Sequence, residues 1–151
     1  MKHKKIVFVC TGNTCRSPMA EAALKAELKR RKIAWYTVQS AGLRAHVGSP
    51  MTAESAQALT EAKIPFSQAF KSRLLTEKTV MEAFAVVCMT EDQRETLKGF
   101  TNVTSMSALT GREVPDPYGQ GIDAYRATLR NLREGLPRLI ENLGLETKQE
   151  N

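Results

Sequence analysis

The stretch Ile6-Val7-Phe8-Val9-Cys10-Thr11-Gly12-Asn13-Thr14-Cys15-Arg16-Ser17-Pro18 decides how this chain folds. Ile6–Cys10 is uncharged and rich in β-branched residues, which suits a strand buried on both faces. Gly12 and Asn13 follow, two residue types that tolerate left-handed backbone and so favour a tight turn. From Ser17 to about Arg31 the residues favour helix, and Pro18 sits at its opening, where a missing N–H costs nothing. Met19, Ala22, Ala23, Ala26 and Leu28 are expected on its inner face. Strand, short loop and helix in that order open a βαβ unit.

The same alternation continues outward. Tyr36–Gln39 reads as a second strand closed by Ser40-Ala41-Gly42. Thr52–Ala62 reads as a helix with Ala56 and Leu59 turned inward, and Thr76–Ala83 as a short helix capped by Thr76. Phe84–Met89 is a third buried strand, Thr90–Leu97 a helix and Asn102–Met106 a weaker fourth strand. Ile122, Tyr125, Leu129, Leu132, Leu136, Leu139, Ile140 and Leu143 recur at spacings of three and four, the stripe of an amphipathic helix. Pro137, with Gly135 beside it, is expected to bend or break that helix. The tail after Leu145, ETKQEN, is expected to fray. There is no internal repeat and no linker, so residues 1–151 read as one domain. The expected architecture is α/β: a four-stranded parallel sheet with helices on both faces, connected by right-handed crossovers. Such sheets bind ligands at the carboxyl ends of their strands, which places the site just after Cys10.

Composition narrows the function. At 151 residues, 42% hydrophobic and 25% charged, the chain has the make-up of a globular protein with its own core. No apolar run approaches the roughly 18–20 residues of a membrane span. Ile6–Cys10 is also too short for the core of a signal peptide, so no membrane association and a cytosolic location are expected. The net charge is +6, but the basic residues are dispersed and aromatics make up only 6%. That is a solvated basic surface with no nucleic-acid partner, compatible with anionic substrates. Three cysteines, Cys10, Cys15 and Cys88, form no disulfide framework. With only His3 and His46 as histidines there is no zinc spacing, and neither a metal nor a cofactor is expected. Core assignment leaves no apolar face over, so a monomer is expected.

The loop carries the chemistry. Its backbone can aim successive N–H groups at one point, and the helix start adds unpaired donors and about half a positive charge. Together they make a nest for a tetrahedral oxyanion, with Thr11, Gly12, Asn13, Thr14, Cys15 and Ser17 as its candidate binding residues. Cys10 lies at its floor. Arg16, six residues on, offers a planar fork to two oxygens of the anion, and Ser17 can donate to the Cys10 sulfur. Helix N-termini and nearby cations favour the thiolate form of a cysteine. An ionised Cys10 in such a nest is arranged for in-line attack on phosphorus, with the amides and Arg16 holding the equatorial oxygens.

The segment CTGNTCRSPMAEA at Cys10–Ala22 resembles the low-molecular-weight protein phosphatase family, as do Ser40-Ala41-Gly42 and Asp116-Pro117-Tyr118-Gly119. The motifs fall in family order and spacing across nearly the whole chain. The resemblance implies metal-free hydrolysis of a phosphorylated protein through a phosphocysteine. It implies Cys10 as nucleophile, Arg16 as the phosphate-binding arginine and Asp116 as general acid and then base, a role an Asp on a loop can fill. Asn13 and Ser17 resemble the residues that hold the loop and stabilise the thiolate, and Ser40 a supporting partner of that loop. Cys15 resembles a redox partner able to shield Cys10 as a reversible disulfide. Cys88, in an apolar strand, is expected in the core.

The substrate stays open between phosphotyrosine and phosphoarginine. Thr14 resembles the threonine of a branch acting on phosphoarginine, where phosphotyrosine enzymes often carry Ile. Ser72–Thr76 and Gly119–Tyr125 also resemble that branch. Tyr118, a candidate substrate-binding residue, follows Asp-Pro as in many tyrosine phosphatases, yet Leu43, Arg44, Ala45 and His46 stand where a large aromatic wall is usual. Thiol-dependent arsenate reductases share the fold and the first loop. They need a second pair of cysteines after the third strand, where this chain reads Cys88-Met89-Thr90-Glu91-Asp92-Gln93-Arg94. A phosphate-binding module without catalysis would not require Cys10, Arg16 and Asp116 together.

Overall fold

The computed structural model describes residues 3–145, so the ETKQEN tail lies outside the described residues. The first strand, β1 (Lys4–Cys10), pairs in parallel along its whole length with β2 (Tyr36–Gly42). On its other edge, Ile6–Val9 pair in parallel with β3 (Ala85–Cys88), which in turn pairs with β4 (Val103–Ser105). The sheet order is β2-β1-β3-β4. The chain therefore leaves β1 for one neighbour and later crosses to the other, so the topological switch lies at the end of β1, beside Cys10.

Alternation along β1 divides the core between the two faces of the sheet. Ile6, Phe8 and Cys10 join a cluster built with α1 (Arg16–Arg30), α2 (Ala53–Glu61), α5 (Met106–Thr110) and α6 (Ile122–Leu143). Val7 and Val9 pack on the opposite side with Val80 of α3 (Glu77–Glu82) and with Leu97, just past α4 (Glu91–Glu95). Helices thus cover both faces. The short helices begin at hydroxyl caps: Thr52, Thr76, Thr90 and Ser105 each accept a bond from the backbone N–H three residues on.

Four expectations are corrected. The Ser-Ala-Gly triplet does not close β2 but forms its last three residues, paired to Phe8, Val9 and Cys10. Ala58, not Ala56, is buried with Leu59 on α2. Met106 does not end a strand; it opens α5, which is capped by Ser105 and stopped by Gly111 at φ 88°. The long helix α6 runs unbroken through Pro137. Pro137 and Arg133, whose carbonyl it deprives of a helical donor, are both exposed, so water can serve that carbonyl. Buried Leu132, Leu136, Leu139 and Ile140 hold the helix to the core. Gly135 has a separate reason: a Cβ there would stand 3.0 Å from Thr110 Cγ2, so its absence lets α5 and α6 meet closely.

Candidate active site

Between the end of β1 and the first residue of α1 the backbone turns through Thr11–Cys15. Asn13 makes the turn, at φ 58°. Gly12, which tolerates left-handed backbone as well, does not adopt a positive φ. Its role is openness: a Cβ at Gly12 would find only Thr14 Oγ1, at 3.8 Å, within 4 Å. The Asn13 N–H points at Cys10 Sγ across 3.3 Å. Among the described residues, no protein acceptor takes the N–H groups of Gly12, Thr14, Cys15, Arg16 or Ser17. A row of amide donors without partners, opening a fifteen-residue helix, is a ready site for an oxyanion. Cys10, 3% exposed, forms its base.

Asn13 is what fixes the loop. Its Nδ2 donates to Ser17 Oγ at 2.9 Å and to Ser40 Oγ at 3.0 Å, and its Oδ1 accepts from the Arg73 N–H at 2.9 Å. Its own carbonyl accepts from Ser72 Oγ at 2.8 Å. Every polar group of this buried amide side chain has a partner, which offsets the cost of the left-handed turn and of burial. Ser40 passes the chain on to Glu21 at 2.6 Å. Ser17 Oγ also lies 2.9 Å from Cys10 Sγ, at the distance of a hydrogen bond to a thiol or thiolate. The end of β2 presses on the same loop. A Cβ at Gly42 would meet the Thr11 carbonyl at 2.7 Å and the Asn13 nitrogen at 3.0 Å, so only glycine fits.

Arg16 is 6% exposed, and its Nη1 donates to the Val114 carbonyl at 3.0 Å. Its Nη2 lies 3.8 Å from Asp116 Oδ2. Asp116 reaches this place on the segment before α6, where its Oδ1 accepts from the Tyr118 N–H and its carbonyl from Gln120 Nε2. Its side chain is 57% exposed, at the mouth of the cup. Tyr118 is exposed beside it. The fold thus gathers Cys10, Arg16 and Asp116, with Ser17, Asn13 and Ser40 behind them.

Reading the residues alone missed several contributors. Ser72 and Arg73 come from a stretch with no periodicity, and their contacts with Asn13 are backbone or hydroxyl bonds that leave no pattern. Gln93 takes the Met89 and Thr90 N–H groups on its Oε1 while its Nε2 donates to Thr11 Oγ1 at 3.3 Å. Thr90 followed three residues later by Gln was the legible capping-box signal there. Tyr125, read as an apolar position of α6 at the end of the Gly119–Tyr125 segment, brings its hydroxyl within 3.3 Å of Cys15 Sγ. Burial and that contact push the Tyr125 hydroxyl above the usual phenol range. Cys15 also lies 3.7 Å from the hydroxyls of Thr14 and Thr52. All three cysteines are free thiols. Cys88 belongs to the second core cluster, and burial, reinforced by the charge of Glu91, pushes its thiol up to about 12. Among the described residues no group of three or more His, Cys, Asp or Glu could hold a metal ion. No helix among them is long and apolar enough to cross a membrane.

A thiol under five undonated amides, with a buried arginine closing the arc six residues later, defines a Cys-x5-Arg anion cup on a parallel α/β sheet. The family model described as low molecular weight phosphotyrosine protein phosphatase matches residues 5–149. The chain belongs to that family. It is 36% identical to a protein-arginine-phosphatase of Bacillus subtilis over 147 residues, covering 91% of this chain and 95% of the relative. It is 31% identical to the low molecular weight protein-tyrosine-phosphatase PtpB of Staphylococcus haemolyticus, covering 91% and 99%. A solved structure of the YwlE arginine phosphatase, in a cysteine-to-serine mutant with a phosphorylated active-site serine, superposes with a TM-score of 0.84. There the identity is 34%, over 93% of this chain and 95% of that one.

Proposed function

We propose that this chain is a cysteine-dependent protein phosphatase, one catalytic domain acting through a phosphocysteine, and that phosphoarginine is the phosphoresidue its loop suits best. The observation that carries the reading is the arc from Cys10 to Arg16. Together with Ser17 just beyond it, that arc holds the Cys10 sulfur, the Arg16 guanidinium and five amide donors (Gly12, Thr14, Cys15, Arg16 and Ser17) that have no partner among the described residues. Cys10 attacks phosphorus as the bond to the leaving nitrogen breaks. Asp116 delivers a proton to that nitrogen, so a neutral guanidine never has to leave as an anion. The amides and Arg16 hold the equatorial oxygens throughout. Water then attacks the phosphocysteine while the Asp116 carboxylate takes its proton, and the sulfur leaves as a thiolate facing Ser17 Oγ and the Asn13 N–H. The products are the free arginine side chain and inorganic phosphate.

Thr14 supports phosphoarginine. Its hydroxyl stands over the open face of Gly12, where it can meet a polar phosphoguanidinium or orient the hydrolytic water. The relatives named protein-arginine-phosphatase are consistent with this. The exposed ring of Tyr118 beside Asp116 favours a second reading, phosphotyrosine. Rates on a phosphoarginine protein and on a phosphotyrosine peptide separate the two. Under the first reading, Thr14→Ile lowers activity on phosphoarginine at least tenfold more than on an aryl phosphate, and equal losses argue against it. We place the enzyme in the cytoplasm, where thiols stay reduced, acting as a monomer on phosphorylated proteins.

A further inference from the structure

We propose that Arg44 and Arg73 form a basic collar on one side of the cup that recognises acidic residues flanking the phosphorylated residue of the substrate protein. This inference rests on the phosphatase reading above and names the substrates that site prefers. Two chain segments build the collar, one after β2 and one before α3. They are joined by bonds from the Gly48 N–H to the Ser72 carbonyl at 2.9 Å and from the Ser72 N–H to the Ser49 carbonyl at 2.7 Å. Gly42 joins them again: its N–H donates to the Arg73 carbonyl, and its carbonyl accepts from the Leu75 N–H.

Both segments are seated directly on the cup. The Arg44 N–H donates to the Thr11 carbonyl at 2.9 Å, and the Arg73 N–H donates to Asn13 Oδ1 at the same distance. Each guanidinium therefore hangs from a backbone atom one hydrogen bond away from the loop that would hold the phosphate. Both arginines are exposed, and among the described residues neither has an acidic partner. The sequence of the collar is one-signed. Residues 43–53 and 62–76 contain no Asp or Glu, while Arg44, Lys63, Lys71 and Arg73 fall within them. Asp116, the carboxylate at the mouth, lies 3.8 Å from Arg16 and pairs with neither collar arginine. A positive lip without internal counter-ions steers and orients a charged segment of substrate more than it stabilises the fold.

The test measures kcat/KM at low salt on three phosphopeptides of one sequence, flanked by Asp/Glu, by Ser/Gly or by Lys, with p-nitrophenyl phosphate as a substrate that has no flanks. Exposed ion pairs are individually weak, so two arginines are expected to favour the acidic flank over the neutral one by about tenfold. That ratio should shrink toward unity near 0.5 M salt, as screening requires. In R44E/R73E the order should invert, with the Lys flank preferred, while R44K/R73K should keep the acidic preference. Equal kcat/KM for the three flanks in the wild type, or an acidic preference that survives R44E/R73E, overturns the collar and leaves the phosphatase reading standing. Turnover of neither the peptides nor the aryl phosphate overturns that reading and the collar with it.

Discussion

Arg16 and Val114, ninety-eight residues apart, meet through a 3.0 Å bond from Nη1 to the carbonyl oxygen. That bond ties the anion loop to the segment that carries Asp116. It also spends one arm of the guanidinium on orientation, so the planar group is aimed before any anion arrives.

Lysine cannot reproduce this, because one ammonium must choose between the Val114 carbonyl and the anion. Arg16→Lys is expected to lower kcat/KM on an aryl phosphate by about 10²–10³-fold. Losing the buried bond should cost about 1–2 kcal/mol of stability in denaturant melts. Activity within tenfold of wild type would show that the fork is not needed.

Asp116 stands 3.8 Å from Arg16 yet is more than half exposed, as suits the proton-exchanging role proposed for it. Asp116→Asn should slow the phosphoryl-transfer burst by about 10²–10⁴-fold for a leaving group that needs a proton. The loss should shrink for p-nitrophenol, which leaves readily as an anion. Burst rates measured across leaving groups of different acidity check this, and an equal loss for all of them contradicts the general-acid role.

Two glycines of the site should behave oppositely. Gly42→Ala drives a methyl to 2.7 Å from the Thr11 carbonyl, backbone that cannot give way without moving the loop. It should cost about 1–3 kcal/mol and most of the activity. At Gly12 the added methyl meets nothing closer than Thr14 Oγ1 at 3.8 Å. Gly12→Ala should therefore stay within about 0.5 kcal/mol of wild type. Comparing their unfolding midpoints and slopes checks the contrast.

The three thiols should differ in reactivity. Cys88, fully buried, with its thiol pushed up to about 12, stays protonated throughout the neutral and mildly alkaline range. A haloacetamide applied to the native protein at pH 7–9 should label Cys10 and spare Cys88, and inorganic phosphate should protect Cys10. Peptide mapping of the label checks this, and labelled Cys88 in folded protein would contradict it.

The fold was legible where local and global preferences agree. Ile6–Cys10, the Gly-Asn turn and the alternation of strands with helices place Cys10 at the end of the central strand, next to the crossover. The cap at Thr76 was equally readable, while Thr52 and Thr90, expected as the first residues of their helices, are caps just outside them. Pro137 misled because its cost depends on which side of the helix it occupies, which propensity does not encode. Met106–Thr110 was hidden because five residues show no helical period, although Ser105 and Gly111 mark both ends. Within the site, Cys10 and Arg16 were marked by the loop motif, and Asp116 by the resemblance of Asp116-Pro117-Tyr118-Gly119. Ser72, Arg73 and Tyr125 lay in segments tied to the site only by resemblance and Gln93 in none, because their contacts to the loop are made by the tertiary fold.

The most direct test of the account is to identify the phosphorylated atom during turnover. Wild-type protein is mixed with a phosphorylated substrate, denatured within milliseconds and mapped by mass spectrometry. The account predicts a phosphoryl group on the sulfur of Cys10, and loss of both the adduct and phosphate release in Cys10→Ala. Phosphate release that persists in Cys10→Ala, or an adduct on any other residue, would contradict it.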